Sequence, residues 1–416
     1  MVAKKKSNKT TSNGKTEFAN KQEVSVLVVT GEHSGDLLGG DLLNELRQLR
    51  PEFSYYGVGG ESMMAGGFET LEELEKLAVI GFSEAIKKYQ FLKKLLFQIV
   101  EEAKRRETKL AILIDYPGFN LRLAKELKAI GIPSIFYVSP QIWAWKFKRI
   151  YFIKEHIALM LTLFRFEETI YKEYGVNAKF VGHPITKRIP EKLKKEPALP
   201  ADLPQLGEGF VVGLLPGSRT GEITKLIGPI LGTAKLLHEH FKLKNKRIVF
   251  LLPNINKGKE SLIIGKISAL KQEVPDLEIH YLWDSSLRVM SSSDLLLIAS
   301  GTATLEGLFF EKPMVILYKV SYFTYLIGSL LIKSKFIGLA NILSGMEVCR
   351  EITQNEAKPK YIFEEAREIL ANKKYRDKIT RILTETKERE LGTLNGAKLA
   401  AKEVAHFYSE LKASQS

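Results

Sequence analysis

Short apolar runs alternate with amphipathic stretches along most of the chain. Val24–Thr30 is β-branched and apolar and stops at Gly31, and residues 35–49 then carry apolar positions at helical spacing. Leu110–Ile114, 135–138 and 159–163 are further runs, with a loop expected over 115–120 and a helix over 121–129. Strands this uniformly apolar, separated by helices, predict a parallel sheet covered on both faces. The rhythm breaks over 184–209, where Pro190, Pro197, Pro200 and Pro204 stand among lysines, and we place a linker at 187–209. It resumes with strands at 210–215, 247–252, 295–298 and 314–317, and with a helix that runs to about His240. Residues from Tyr361 onward read as charged helix. The expected fold class is α/β, with two domains of parallel sheet facing each other across a cleft. The expected boundaries are a tail over 1–22, a first domain over 23–186, a second over 210–375, and C-terminal helices over 376–416. Open parallel sheets bind ligands beyond the carboxyl ends of their strands, so the informative loops are those that follow strands.

Composition narrows the picture. The 416 residues are 45% hydrophobic and 26% charged, a globular balance. The one cysteine, Cys349, excludes a disulfide framework and a thiolate metal cage and points to a reducing compartment. A formal net charge of +14 favours anionic partners: nucleic acid, anionic lipid or a phosphorylated substrate. Lys4, Lys5, Lys6, Lys9, Lys15 and Lys21 supply part of it from a polar stretch without the apolar core of a signal peptide, read as a disordered tail. No run reaches the roughly 18 apolar residues of a membrane span. Residues 85–106 carry seven cations, Lys93 and Lys94 among them, between Tyr89, Phe91, Leu92, Leu95, Leu96, Phe97 and Ile99. Residues 322–336, with Lys333 and Lys335, are a second such stretch. Each suits either an anionic membrane surface or a core-facing helix. The seven histidines show no ligand spacing beyond His238 and His240, which fall on different helix faces, so no metal site is expected.

Four loops that follow strands carry candidate chemistry. Gly31-Glu32-His33-Ser34-Gly35-Asp36 opens a helix, whose free N–H groups suit an anion; the other reading is a turn capped by Ser34 or Asp36. Asp115-Tyr116-Pro117-Gly118-Phe119-Asn120 ends a buried strand on a carboxylate, either a base for a hydroxyl or a turn-forming Asp. Leu214-Leu215-Pro216-Gly217-Ser218-Arg219, with Glu222 following, sets a permanent multidentate cation beside a helix start, which suits a pyrophosphate. Ala299-Ser300-Gly301-Thr302-Ala303-Thr304-Leu305-Glu306 lets a phosphate approach backbone amides, with Glu306 one turn on for ribose hydroxyls. No Gly-Lys-Ser/Thr follows, so it is not a Walker loop. His183, in Val181-Gly182-His183-Pro184, either touches substrate or fixes the junction.

In this order the motifs resemble the lipid-A-disaccharide synthases. The resemblance rests on residues 31–38, 57–60 and 114–120, on Tyr137-Val138-Ser139-Pro140 with Trp143-Ala144-Trp145, and on 180–184, 214–219, 299–306 and Asn341-Ile342-Leu343. It runs from Val24 to the region of Asn355. It implies a GT-B architecture, two Rossmann-like domains with the active site between them and a last helix that packs back on the first. It implies transfer of diacylglucosamine from UDP-2,3-diacylglucosamine to 2,3-diacylglucosamine 1-phosphate, forming a β-1,6 bond with inversion and without metal or cofactor. Asp115 then matches the general base and Arg219 the arginine at the diphosphate. Gly217, Ser218, Ser300, Gly301, Thr302, Ala303, Thr304 and Glu306 match the UDP loops, and Asn341 a further nucleotide contact. Ser34, Asp36 and His183 are candidates for the acceptor. The resemblance also implies a cytoplasmic protein, peripheral on the inner face of the bacterial inner membrane, and leaves a homo-oligomer open. The chain departs from the family at Gly118, where many members are acidic, at His33, and in its basic tail. Two rivals are another GT-B enzyme, such as a peptidoglycan glucosaminyltransferase or a UDP-sugar epimerase, and a basic nucleic-acid-binding protein. Trp143–Trp145 argues against the first; the second explains the charge but not the anion loops, so no nucleic acid is expected.

Overall fold

The computed structural model describes residues 23–78, 85–195, 209–320, 334–392 and 395–415. The tail expected over 1–22, linker residues 196–208 and residues 322–333 of the second basic stretch lie outside them.

Two all-parallel sheets form. The first holds β1 (Val24–Thr30), β2 (Phe53–Val58), β3 (Glu69–Glu72), β4 (Leu110–Ile114), β5 (Ser134–Tyr137), β6 (Leu159–Thr162) and β7 (Ala178–Phe180), in the order β3-β2-β1-β4-β5-β6-β7. The second holds β8 (Gly209–Leu215), β9 (Arg247–Asn254), β10 (Ile279–Trp283), β11 (Leu295–Ala299), β12 (Met314–Tyr318) and β13 (Glu351–Thr353), in the order β10-β9-β8-β11-β12-β13. Each order reverses direction once, between β1 and β4 and between β8 and β11, and there a doubly wound sheet opens its crevice. The four loops that carry candidate chemistry follow these four strands.

The apolar runs form strands because both faces are buried. Val26 and Val28 of β1 and Ile112 and Ile114 of β4 join one core cluster, while Leu27, Val29, Ala111 and Leu113 join the other. That is the period-2 alternation of a strand with helices on both sides. The first cluster continues through Phe164, Val181, Ile185 and Ile189 into the second half, so one apolar core crosses the seam.

Some boundaries differ from the sequence expectation. The loop expected over 115–120 is mostly helix: Pro117–Ala129 starts with proline at its first position, where its lacking N–H costs nothing. One short helix, Ile185–Arg188, straddles the expected start of the linker, and a second, Glu191–Lys195, lies within it. Helix Lys373–Glu390 spans the seam, with Phe166 N donating to Glu390 Oε2 at 3.0 Å and Arg389 Nη2 to Leu343 O at 2.8 Å. Helix Gly396–Gln415 returns to the first half and packs on helix His33–Leu49. There Arg50 donates to Ala405 O at 2.8 Å, and Phe53 meets Tyr408 edge-on at 4.9 Å.

Candidate active site

In the first half the chain turns sharply after β4. Asp115 and Tyr116 both have φ 49°, a left-handed conformation that costs a residue with a Cβ about 1–2 kcal/mol. Buried Asn120 over-determines the turn: its Nδ2 donates to Asp115 O at 2.8 Å, Ile114 O at 3.2 Å and Val29 O at 3.3 Å. Gly31 is required beside it, because a Cβ there would lie 2.3 Å from the Tyr116 ring. The result is a half-buried carboxylate directly after β4, at the switch point of the first sheet. Burial, and then the Glu32 carboxylate from the β1 loop, hold Asp115 above the usual aspartate range. The only carboxylate of its own loop thus faces a second one that spacing could not reveal. A raised carboxylate is a stronger base.

The acceptor candidates divide. Asp36 is buried, and its oxygens accept from Gly60 N at 2.7 Å, Ser62 N at 3.0 Å and Met63 N at 3.2 Å. It caps the short helix Glu61–Met64, so its oxygens are committed to backbone N–H groups of the fold. Neither Asp36 nor Ser34 is the N-cap of the first helix; Glu32 is, and Ser34 lies exposed one residue inside that helix's start. His183 Nδ1 accepts from Ile185 N at 3.1 Å and its ring stacks on Phe164, centroids 5.1 Å apart. Its proton therefore sits on Nε2. Burial, and secondly Arg188, push its pKa down to about 3, so it is neutral at physiological pH.

In the second half a cavity of about 380 Å³ opens at the β8/β11 switch point. It is lined by Gly217, Ser218, Arg219, Ser300, Gly301, Thr302, Ala303 and Glu306, which brings together most of the expected nucleotide residues. Gly217 has φ 104°, and a Cβ there would lie 2.4 Å from Glu222 Oε2. That carboxylate accepts from Ser218 N and Arg219 N, each at 3.2 Å, and from Arg219 Nη1 at 3.3 Å. The helix start that suits an anion thus already carries one, its own Glu222, in a capping box. The Arg219 side chain remains exposed. Ser300 Oγ donates to Ile337 O at 3.2 Å. Burial raises the pKa of Glu306, against the pull of Arg188.

Two nucleotide candidates do not face the cavity. Buried Thr304 donates to Gly301 O at 2.8 Å and accepts from Leu339 N at 3.0 Å. Asn341 has no exposed surface: its Oδ1 accepts from Val348 N and Cys349 N, and its Nδ2 donates to Cys349 O and Glu351 Oε1. Their polar atoms hold loops together. Asn254, Ile255, Ser286 and Arg188 line the cavity instead. Asn254 ends β9 and Ile255 follows it, so both were findable on the rule that sites lie at the carboxyl ends of strands. Arg188 sits in the lysine-rich linker and had no local signal.

A second cavity, about 530 Å³, lies between the halves. Trp143, Ala144 and Trp145 line it from the first half, and Phe336, Ile337, Leu339 and Ile342 from the second. It shares Gly301 and Thr302 with the nucleotide cavity. Trp143 Nε1 donates to Glu167 Oε1 at 3.1 Å, and Phe164 N to Glu167 Oε2 at 3.4 Å. Burial pushes Glu167 up to about 7. On the opposite wall Glu351 accepts from Ile337 N and Gly338 N at 2.9 Å.

Helix Ala85–Arg105 buries Leu95, Leu96, Ile99, Val100 and Ala103 in the core, yet leaves Tyr89, Phe97, Lys93 and Lys94 exposed. No helix among the described residues is long and apolar enough to cross a membrane. No group of three or more potential metal ligands occurs among the described residues.

A family model described as lipid-A-disaccharide synthetase matches residues 26–404. A lipid-A-disaccharide synthase of Myxococcus xanthus is 35% identical over 384 residues, covering 91% of this chain and 96% of that protein. Lipid-A-disaccharide synthase 1 of Legionella pneumophila is 38% identical over 339 residues, covering 79% and 83%. Among solved structures, the UDP-GlcNAc 2-epimerase of Neisseria meningitidis bound to UDP-GlcNAc aligns with TM-score 0.55 at 10% identity, over 92% of this chain and 99% of that one. The calicheamicin glycosyltransferase CalG4 aligns with TM-score 0.57 at 11% identity, over 93% and 99%. The likeness to these two is one of fold. A match over nearly the whole length, on a GT-B fold of two Rossmann-like halves, places the chain in the lipid-A-disaccharide synthase family of glycosyltransferases.

Proposed function

We propose that this glycosyltransferase moves diacylglucosamine from UDP-2,3-diacylglucosamine to 2,3-diacylglucosamine 1-phosphate, with inversion, releasing UDP. Family membership carries the coarser part, formation of a lipid A disaccharide. The finer reading rests on one observation: a cavity with Arg219 on its wall shares Gly301 and Thr302 with a largely apolar cavity walled by Trp143, Trp145, Phe336 and Ile337. Such a pair suits a ligand that joins a charged diphosphate to aliphatic chains.

In this reading Ser300, Gly301, Thr302 and Ala303 receive the nucleotide, Glu306 its ribose hydroxyls, and Arg219 the diphosphate. Asp115 accepts the proton of the acceptor's primary hydroxyl as that oxygen attacks the anomeric carbon. The bond from that carbon to the diphosphate oxygen breaks, and Arg219 stabilises the charge that builds on the leaving group. One displacement on one face inverts the centre. Ser34, exposed beside Glu32, and the Nε2–H of His183 are available to the acceptor. The exposed Tyr89, Phe97, Lys93 and Lys94 suit attachment to an anionic bilayer at its cytoplasmic surface, where both lipids are reached without a span. Nucleic acid has no part in this reading. Incubation of purified protein with both lipids should yield a disaccharide and an equal amount of UDP. A folded protein that binds UDP yet yields neither product refutes the assignment.

A further inference from the structure

The charge around the nucleotide cavity leaves a problem for a diphosphate. Four charged side chains line it: Arg188, Arg219, Glu222 and Glu306. They pair off as Arg219 with Glu222 at 3.3 Å and Arg188 with Glu306 at 3.9 Å, and their formal charges cancel. Arg219 alone, beside the carboxylate that caps its helix, is a poor match for a group carrying two or three negative charges.

The two arginines are held differently. Arg219 stands at the start of the second half's first helix. Arg188 ends the short helix Ile185–Arg188 on the other side of the seam. Its backbone is fixed: Arg188 N donates to Pro184 O at 3.1 Å, Thr186 Oγ1 donates to His183 O at 3.0 Å, and the flanking Ile185 and Ile189 are buried in the shared core. Its side chain is 68% exposed and reaches Glu306 through a single nitrogen at the outer limit of an ion pair. At that length, with the arginine end in solvent, the contact is weak and easily exchanged. A guanidinium has five N–H donors in a fork that matches phosphate oxygens, and this contact leaves most of them uncommitted to Glu306.

We infer that Arg188 is a phosphate-binding residue of the nucleotide cavity, supplied by the first half and parked on Glu306 until a nucleoside diphosphate enters. The inference rests on the reading of this cavity as the UDP site. Ribose hydroxyls take over the Glu306 carboxylate, and the freed guanidinium turns to the phosphate oxygens. Glu222 remains with its helix cap. The diphosphate then lies between a cation of each half, so that binding it draws the two halves onto one ligand. Uridine, with the hydroxyls but no phosphate, engages Glu306 and leaves both arginines without a phosphate partner.

The test is calorimetric titration of the full chain with uridine, UMP and UDP, in the wild type, Arg188→Ala and Arg188→Lys. Arg188→Ala should weaken UDP about tenfold, the loss of one charge-assisted contact, and leave uridine within about twofold. Arg188→Lys should recover part of the UDP affinity, since it keeps the charge but not the fork. An equal change for uridine and UDP, or no change in either, overturns the role. A folded wild type that binds no UDP removes the nucleotide reading itself, an outcome the uridine-to-UDP comparison cannot be confused with.

Discussion

Replacing Asp115 by Asn separates catalysis from folding. The amide fits the same turn, because Asn120 and Tyr137 hold the backbone of residue 115, not its side chain. What is lost is the ability to take a proton. A positioned general base contributes on the order of 10²–10⁴ in rate, about 3–5 kcal/mol of barrier. Glu32 stays beside the site and is exposed, which places the expected loss in kcat toward the lower end of that range, about 10². UDP affinity should not change. Stability should move the other way. Burial and Glu32 disfavour ionised Asp115 in the fold, so its folded pKa lies above the unfolded one. The fold therefore loses stability as pH rises through that interval, and Asn removes the loss. The variant should melt at or above the wild type at neutral pH, with the difference closing as pH falls below the ordinary aspartate value. Wild-type kcat/KM should fall toward acid pH as Asp115 protonates. Single-turnover transfer and melting curves at several pH values measure both. A variant within threefold of wild-type turnover, or one inactive because it is unfolded, refutes the reasoning.

Four further outcomes follow from the same geometry. Arg219→Ala should weaken UDP about tenfold or more by calorimetry, or abolish transfer, while the melting temperature holds, because the side chain is exposed. Asn341→Ala removes the side-chain acceptor of Cys349 N and Val348 N and the donor to Cys349 O, and should cost about 2–4 kcal/mol in urea unfolding. Glu167 has a folded pKa of about 7 against an ordinary 4.5, so wild-type stability should decline as pH rises across that window. Glu167→Gln should flatten the decline in a chemical-denaturation series. Gly118→Asp should fold normally, since a Cβ there meets nothing within 4 Å. An acid in the first turn should add about 0.3–1 kcal/mol, read by melting.

Central strands were legible because burial on both faces leaves a continuous apolar run, as in Leu110–Ile114 and Leu295–Ala299. The strands toward the sheet margins were not. Glu69–Glu72 is polar because one side meets water, Ala178–Phe180 and Glu351–Thr353 are three residues long, and Phe53–Val58 hides its run behind Ser54 and two tyrosines. The site loops were legible for a topological reason: they follow the strands at which each sheet reverses. Roles within them were harder. Asp36, Thr304 and Asn341 occupy motif positions yet serve the backbone, and a motif does not say which of its polar atoms face inward. Arg188, Glu32 and Glu167 acquire their partners only when residues far apart in sequence meet.

Helix Gly396–Gln415 lies on the first half, and Ala400, Ala401 and Val404 bury their side chains in the common core. The face of helix His33–Leu49 that they cover stays bare while the ribosome is still making the second half. Domains commonly fold in order as they emerge; here the earliest-made one waits for residues synthesised some 350 positions later, the span between Arg50 and Ser409. A nascent chain stalled before residue 396 should hold an unfinished first half with its oily flank open to chaperones.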